Sequence, residues 1–204
     1  MLFKLGALAI SVMLGSTLSL AQGVSPDTLV KTVTEDVLTS IKQNPGIQGG
    51  NNAKAVALVE QKVSPHFDFA RMSALATGAN WRKATPDQQK LITDEFRKLL
   101  VRTYSSALGK YRDQVIETSP PRPPAADGSV IVRSSVKQSG SEPITIDYHM
   151  QKAGAEWKVF DIAVAGVSLV INYRESFATE VRAGGIDALI KSLVRKNQEL
   201  TQAG

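Results

Sequence analysis

From Trp157 to Phe177 the chain is apolar almost without a break, and its periodicity changes once, at Gly166. Before the glycine, Phe160, Ile162 and Val164 alternate as one face of a strand does. After it, Val167, Val170, Tyr173 or Arg174, and Phe177 recur at the spacing of one helix face. A surface element would carry polar residues on every second or third position. The segment therefore predicts an apolar sheet wall, a glycine turn, and a helix folded over the wall as a lid.

Helices are expected on both sides of this segment. Ser25, Pro26 and Asp27 supply an N-cap, a first-turn proline and a first-turn acid, and Val30, Val33, Val37 and Ile41 mark one face of a helix to about Gln43. Residues 44–52, rich in Asn, Gly and Pro, break the chain. A second helix then carries Val56, Val59 and Val63, and a short third one from Phe67 to Ala76 is capped by Asp68 and closed by Gly78. Thr85-Pro86-Asp87-Gln88 is a capping box that opens the longest helix, to about Gly109. Its stripe of Ile92, Phe96, Leu99, Leu100, Tyr104 and Leu108 is opposed by Lys90, Asp94, Lys98 and Arg102.

Beyond Tyr111 the period shortens to two. Strands are expected near 114–117, 130–136, 144–150 and 156–164, with Ile144, Ile146, Tyr148 and Met150 on a buried face of the third and Thr145, Asp147 and His149 on a wet one. The proline cluster at 120–124 reads as a stiff loop, and residues 139–143 as a hairpin connection. Helix returns from Leu169, breaks at Gly184-Gly185, and resumes from Ile186 to about Gln202. Helices around an antiparallel meander of about four strands give an α+β fold with the helices packed on a curved sheet.

The first residues read as a cleavable signal peptide: Lys4, an apolar run from Ala7 to about Leu18, and Ser19-Leu20-Ala21 as the cleavage site. The run is shorter than the ~20 residues that span a bilayer. Cleavage leaves 22–204 as one domain with 23 basic and 19 acidic side chains, a net charge of +4. In an exported chain that modest excess suits anionic lipid headgroups or an acidic partner surface better than nucleic acid, and a plain solvated basic surface equally well. The absence of cysteine from the sequence excludes disulfides and thiolate catalysis, so an ordinary hydrophobic core must hold the fold.

Reaction chemistry is poorly supplied. His66 and His149 stand in no metal-ligand spacing, and no hydrolase, zincin, Walker or Rossmann motif is present. No catalytic residue, metal or cofactor is expected. Ser168 reads as a turn serine capping the next helix. Asp161 interrupts an apolar strand and reads as a structural partner for an arginine, with Arg174 the candidate. A strand carboxylate beside a pocket also suits an isomerase, so a small exported isomerase or hydrolase stays open as the alternative, with Asp161 or His149 in the active role. An interaction module with no ligand of its own is the third class.

Two blocks together are distinctive. One is Pro65, Phe67, Asp68, Phe69 and Met72, followed by Trp81 and the helix through Phe96, Leu100 and Tyr104. The other is Trp157-Lys158-Val159-Phe160-Asp161-Ile162, then Gly166-Val167-Ser168-Leu169-Val170, Asn172-Tyr173-Arg174 and Phe177. In this order and separation the chain resembles the MlaC family of periplasmic phospholipid carriers, also known as toluene-tolerance auxiliary proteins. The resemblance covers nearly all of 22–204. It implies an NTF2-like-related fold and a periplasmic, monomeric carrier of a Gram-negative cell, with phospholipid as cargo. The carrier would move phospholipid between outer and inner membranes and so maintain outer-membrane lipid asymmetry. The implied partners are an inner-membrane ABC transporter with its MCE-domain subunit and an outer-membrane lipoprotein and porin complex.

The physical task of such a carrier is severe. At ~0.8 kcal/mol per methylene, baring one ~16-carbon tail to water costs roughly 13 kcal/mol. The expected tail site is an apolar space between sheet and helices lined by Leu100, Tyr104, Val132, Ile146, Tyr148, Phe160, Ile162 and Val164, and closed by Val167, Val170, Tyr173 and Phe177. Val164→Glu is the disruption that this reading suggests.

Overall fold

The computed structural model describes residues 23–202, so the signal-peptide expectation for 1–21 lies outside the described residues. Helix α1 (Pro26–Gln43) begins where expected, with Pro26 in the first turn. The Ser25 hydroxyl donates to Thr28 Oγ1 at 2.7 Å instead of capping a backbone amide. The 44–52 break holds a single turn, α2 (Pro45–Gln48). Asn51 then caps α3 (Asn52–Lys62) by accepting from the Lys54 amide at 3.0 Å. The inward residues of α3 are Ala55 and Leu58, so its face is turned from the expected one and Val59 and Val63 are left half-buried.

Asp68 caps α4 (Phe69–Thr77), accepting from the Arg71 amide at 2.9 Å. The capping box of α5 (Pro86–Ser105) is complete: Thr85 Oγ1 accepts from the Gln88 amide, and Gln88 Oε1 accepts from the Thr85 amide. The last turn expected of α5, to Gly109, is a 3-10 helix, Ser106–Lys110.

The sheet is an open antiparallel meander of five strands in the order β1 (Val115–Thr118), β2 (Val130–Lys137), β3 (Ile144–Ala153), β4 (Glu156–Val164) and β5 (Val167–Ser168). One irregularity decides which side chains meet. Met150 pairs with Val159 and His149 with Asp161, so Phe160 is an extra residue in β4. Such a bulge reverses the alternation beyond it. Val159 and Ile162 consequently share the inner face with Tyr148 and Met150, and Phe160 falls on the outer face with His149 and Asp161.

Helix α6 (Leu169–Gln202) bends at Gly184 and Gly185, as the glycine pair predicts, and Gly185 has a φ of 75° that favours glycine. Ser192 Oγ donates to Glu180 Oε1 at 2.8 Å. Twelve residues of unbroken helix would span about 18 Å, so the chain doubles back at the bend. A helical core forms where α6 meets α4 and α5, with Phe96 edge-on to Tyr173 at 5.0 Å and to Phe177 at 5.1 Å. A second core joins α1 to the sheet through Val30, Val130, Val132, Met150 and Val159, and a third ties α1, α2 and α3 through Val37, Ile41, Ile47, Ala55 and Leu58.

Candidate functional site

Helix α1 lies across the inner face of the sheet without filling it. Leu29, Val33 and Val37 roof a cavity of about 250 Å3 whose floor is Tyr148, Met150, Val159 and Ile162. Beside it, Val59 of α3, Met72 of α4 and Leu100 and Tyr104 of α5 enclose a second cavity of about 190 Å3, with Leu169 at the start of α6. Val63, Phe67, Leu108 and Ile162 line both, so the two chambers share a wall. An apolar cavity of ~150 Å3 already accepts a benzene ring. Each chamber therefore has room for a run of methylene groups and, lined mostly by carbon, offers them little competition from polar groups.

Few polar groups reach the walls, and Ser64 Oγ at the second chamber is buried without a hydrogen-bond partner among the described residues. The Tyr148 hydroxyl reaches Ser134 and Thr34, and burial, the larger influence, pushes its phenol above the ordinary value. Tyr173, beside Tyr104, is pushed up to about 12, first by burial and then by that neighbour. His66 lines the first chamber, and burial followed by the charge of Lys158 lowers its pKa below 6.5. The unfolded chain thus binds this proton more readily than the folded one. The His66 contribution is complete above pH 6.5 and is lost as pH falls through the folded-state value. Denaturation midpoints at pH 7.5 and pH 5.5 should differ less in His66→Gln than in the wild type.

The structure divides the expected tail-site residues into five groups. Leu100, Tyr104, Tyr148 and Ile162 line a chamber, Ile162 both of them. Val132 is buried beneath the floor in the sheet core, and Ile146 sits farther along the inner face and lines neither chamber. Phe160 is corrected to the outer face, where the Arg71 guanidinium stacks 3.7 Å from its ring centroid; the β4 bulge is the cause. Val164 and Val167 are exposed at the tip of the β4–β5 hairpin. Val170, Tyr173 and Phe177 belong to the helical core, so the helix after Gly166 is no lid over the sheet.

The roof is α1, a helix at the opposite end of the sequence whose valine stripe reads like any core face. Leu29, Val33, Val63, Phe67 and Val159 were not legible as lining residues. Met150, by its place on the inner face of β3, and Leu108, on the α5 stripe it shares with Leu100 and Tyr104, carried a usable signal.

Asp161 has a different partner from the one its sequence context suggests. Its Oδ1 accepts from the Val170 amide at 3.1 Å and its Oδ2 from Ser168 Oγ at 2.5 Å, while Ser168 Oγ accepts from the Ile171 amide at 3.0 Å. The carboxylate and serine together satisfy the first turn of α6. Arg174 instead donates to the Leu75 carbonyl. Asp161→Ala strands a buried amide and a hydroxyl, and should cost about 1–3 kcal/mol in thermal or chemical denaturation while leaving bound ligand unchanged. Asp161 and His149 face away from both chambers, which removes the geometry an isomerase would need. Among the described residues no group of three or more His, Cys, Asp or Glu is placed to hold a metal ion.

The sequence model of the MlaC protein matches residues 31–195. The chain belongs to the MlaC family. Two relatives bear on its chemistry. Toluene tolerance protein Ttg2D of Pseudomonas putida is 27% identical over 165 residues, covering 80% of this chain and 76% of that protein. The intermembrane phospholipid transport system binding protein MlaC of Haemophilus influenzae is 22% identical over 172 residues, covering 83% and 80%. A solved structure of a phospholipid-binding protein from Ralstonia solanacearum, in complex with a phospholipid, superposes with a TM-score of 0.79 at 40% identity, over 87% of this chain and 99% of that one. The open sheet with packed helices is thus a fold that this MlaC-family chain has in common with a protein solved with phospholipid in place.

Proposed function

We propose that this MlaC-family protein is a soluble periplasmic carrier that binds phospholipid non-covalently, keeps the acyl tails in the two chambers, and leaves the headgroup in solvent. The observation that carries the reading is the pair of adjoining apolar chambers between α1, α3, α5 and the sheet, in a fold 40% identical to a phospholipid-bound protein. No helix among the described residues is long and apolar enough to cross a membrane. The enzyme alternative is set aside, since one relative and the structural neighbour are named for phospholipid transport and binding and the candidate acid and histidine lie off the chambers.

The finer reading is a shuttle between outer and inner membranes that sustains outer-membrane lipid asymmetry. Its partners would be an inner-membrane ABC transporter with an MCE-domain subunit and an outer-membrane lipoprotein and porin complex. Loading and unloading follow from docking, which shifts the population of open and closed forms. The test is transfer of a fluorescent diacyl phospholipid from donor to acceptor vesicles. Transfer should rise in proportion to the mature protein added; a rate no greater than spontaneous exchange would contradict the carrier reading.

A further inference from the structure

The β4–β5 hairpin ends in Val164-Ala165-Gly166-Val167, four exposed residues without a polar side chain. Val164 is 38% exposed and Val167 60%, and Ile144 and Ile171 beside the ends of this hairpin are 50% and 52% exposed. Ala165 has a φ of 48° and Gly166 a φ of 82°. Both central positions of a two-residue hairpin turn with positive φ ordinarily take Asn, Asp or Gly. Alanine at the first of them accepts left-handed strain in return for an apolar apex. A cluster of aliphatic residues in water marks an interaction surface.

The position of the tip is as telling as its composition. Ile162, which lines both chambers, lies two residues before Val164 on the same sheet face, and Leu169, which lines the second chamber, lies two residues after Val167. The hairpin therefore connects the chamber wall to the outside along one apolar edge.

We infer that this hairpin tip is a membrane-contacting element that enters the surface of a lipid bilayer, giving the tails an apolar path between bilayer and chamber. The inference rests on the carrier reading and names the lipid surface as the partner. Two features favour lipid over a protein partner. Protein docking sites concentrate their energy in Trp, Tyr and Arg anchors, with Val under-represented, and the tip offers only small aliphatic groups. Backbone approaching hydrocarbon is favoured when its polar groups are bonded, and part of the tip meets this condition: the Ala165 amide donates to the Thr145 carbonyl at 2.8 Å and Val164 and Val167 pair across the turn.

The test is co-sedimentation of the mature protein with vesicles of phosphatidylethanolamine and phosphatidylglycerol, measured beside lipid transfer and beside lipid content by native mass spectrometry. Ala165→Asn places a residue suited to positive φ at the apex, so the variant keeps the fold, and Val167→Asp adds a charge outside both chambers. Each should lower vesicle association and transfer roughly tenfold or more with lipid content unchanged. Wild-type vesicle association and transfer in both variants would overturn the inference, as would a wild-type protein that carries lipid but does not associate with protein-free vesicles. A wild-type protein that associates with vesicles yet never carries lipid would instead overturn the carrier reading and leave the tip a membrane contact.

Discussion

Replacing Ile162 by glutamate is expected to strip the protein of bound phospholipid while leaving its far-ultraviolet circular dichroism close to that of the wild type. Ile162 is half-buried and lines both chambers, so a carboxylate there projects into the shared wall and not into a packed core. A lipid tail laid against an unpaired charge costs several kcal/mol, which is about a thousandfold or more in affinity. Val164→Glu, the disruption suggested by alternation alone, should retain lipid, because that side chain is exposed outside the chambers. Equal lipid content in the two variants would contradict the assignment of the chambers.

Phe177→Ala is expected to lower stability by about 3–5 kcal/mol, a shift in Tm on the order of 10 °C for a chain of this size. Phe177 is buried with Phe96 and Tyr173 in the centre of the helical core, with Leu189 and Leu193 of the returning arm of α6 in the same cluster. At temperatures where the variant is folded, its lipid content should match the wild type. If instead lipid were lost with stability unchanged, Phe177 would be the lid residue that the sequence pattern suggests and the division between helical core and chambers would be wrong.

These two variants mark where sequence reasoning succeeds and where it stops. The elements were legible because their signals are local. The Thr85 and Gln88 capping box, the Asp68 cap, the glycine pair at 184 and 185, and the period-two strands each rest on residues within a few positions of one another. The faces were less legible, because a single long-range irregularity redirects them. The extra residue at Phe160 is visible only against its partner strand, and it exchanges Phe160 for Val159 on the inner face.

The location of the chambers was the least legible feature. The apolar spacing of Val170, Tyr173 and Phe177 is the same whether the helix covers a sheet or packs on α5. The valine stripe of α1 likewise gives no hint that the helix packs on the sheet through Val30 and Leu29 while the same face, with Val33 and Val37, roofs a cavity. Asp161 illustrates the same limit: a buried acid signals a partner, but whether that partner is an arginine or a helix start depends on where the chain turns after Gly166. The family resemblance supplied the class of cargo; it did not distribute the residues.

Native mass spectrometry of the mature protein, purified gently from cells with normal membranes and followed by organic extraction, tests the central claim most directly. A mass excess of about 0.7 kDa that extracts as phospholipid, the size of two acyl chains and a headgroup held in an apolar pocket, is the result expected of a carrier. A bare polypeptide mass from the same preparation would contradict it.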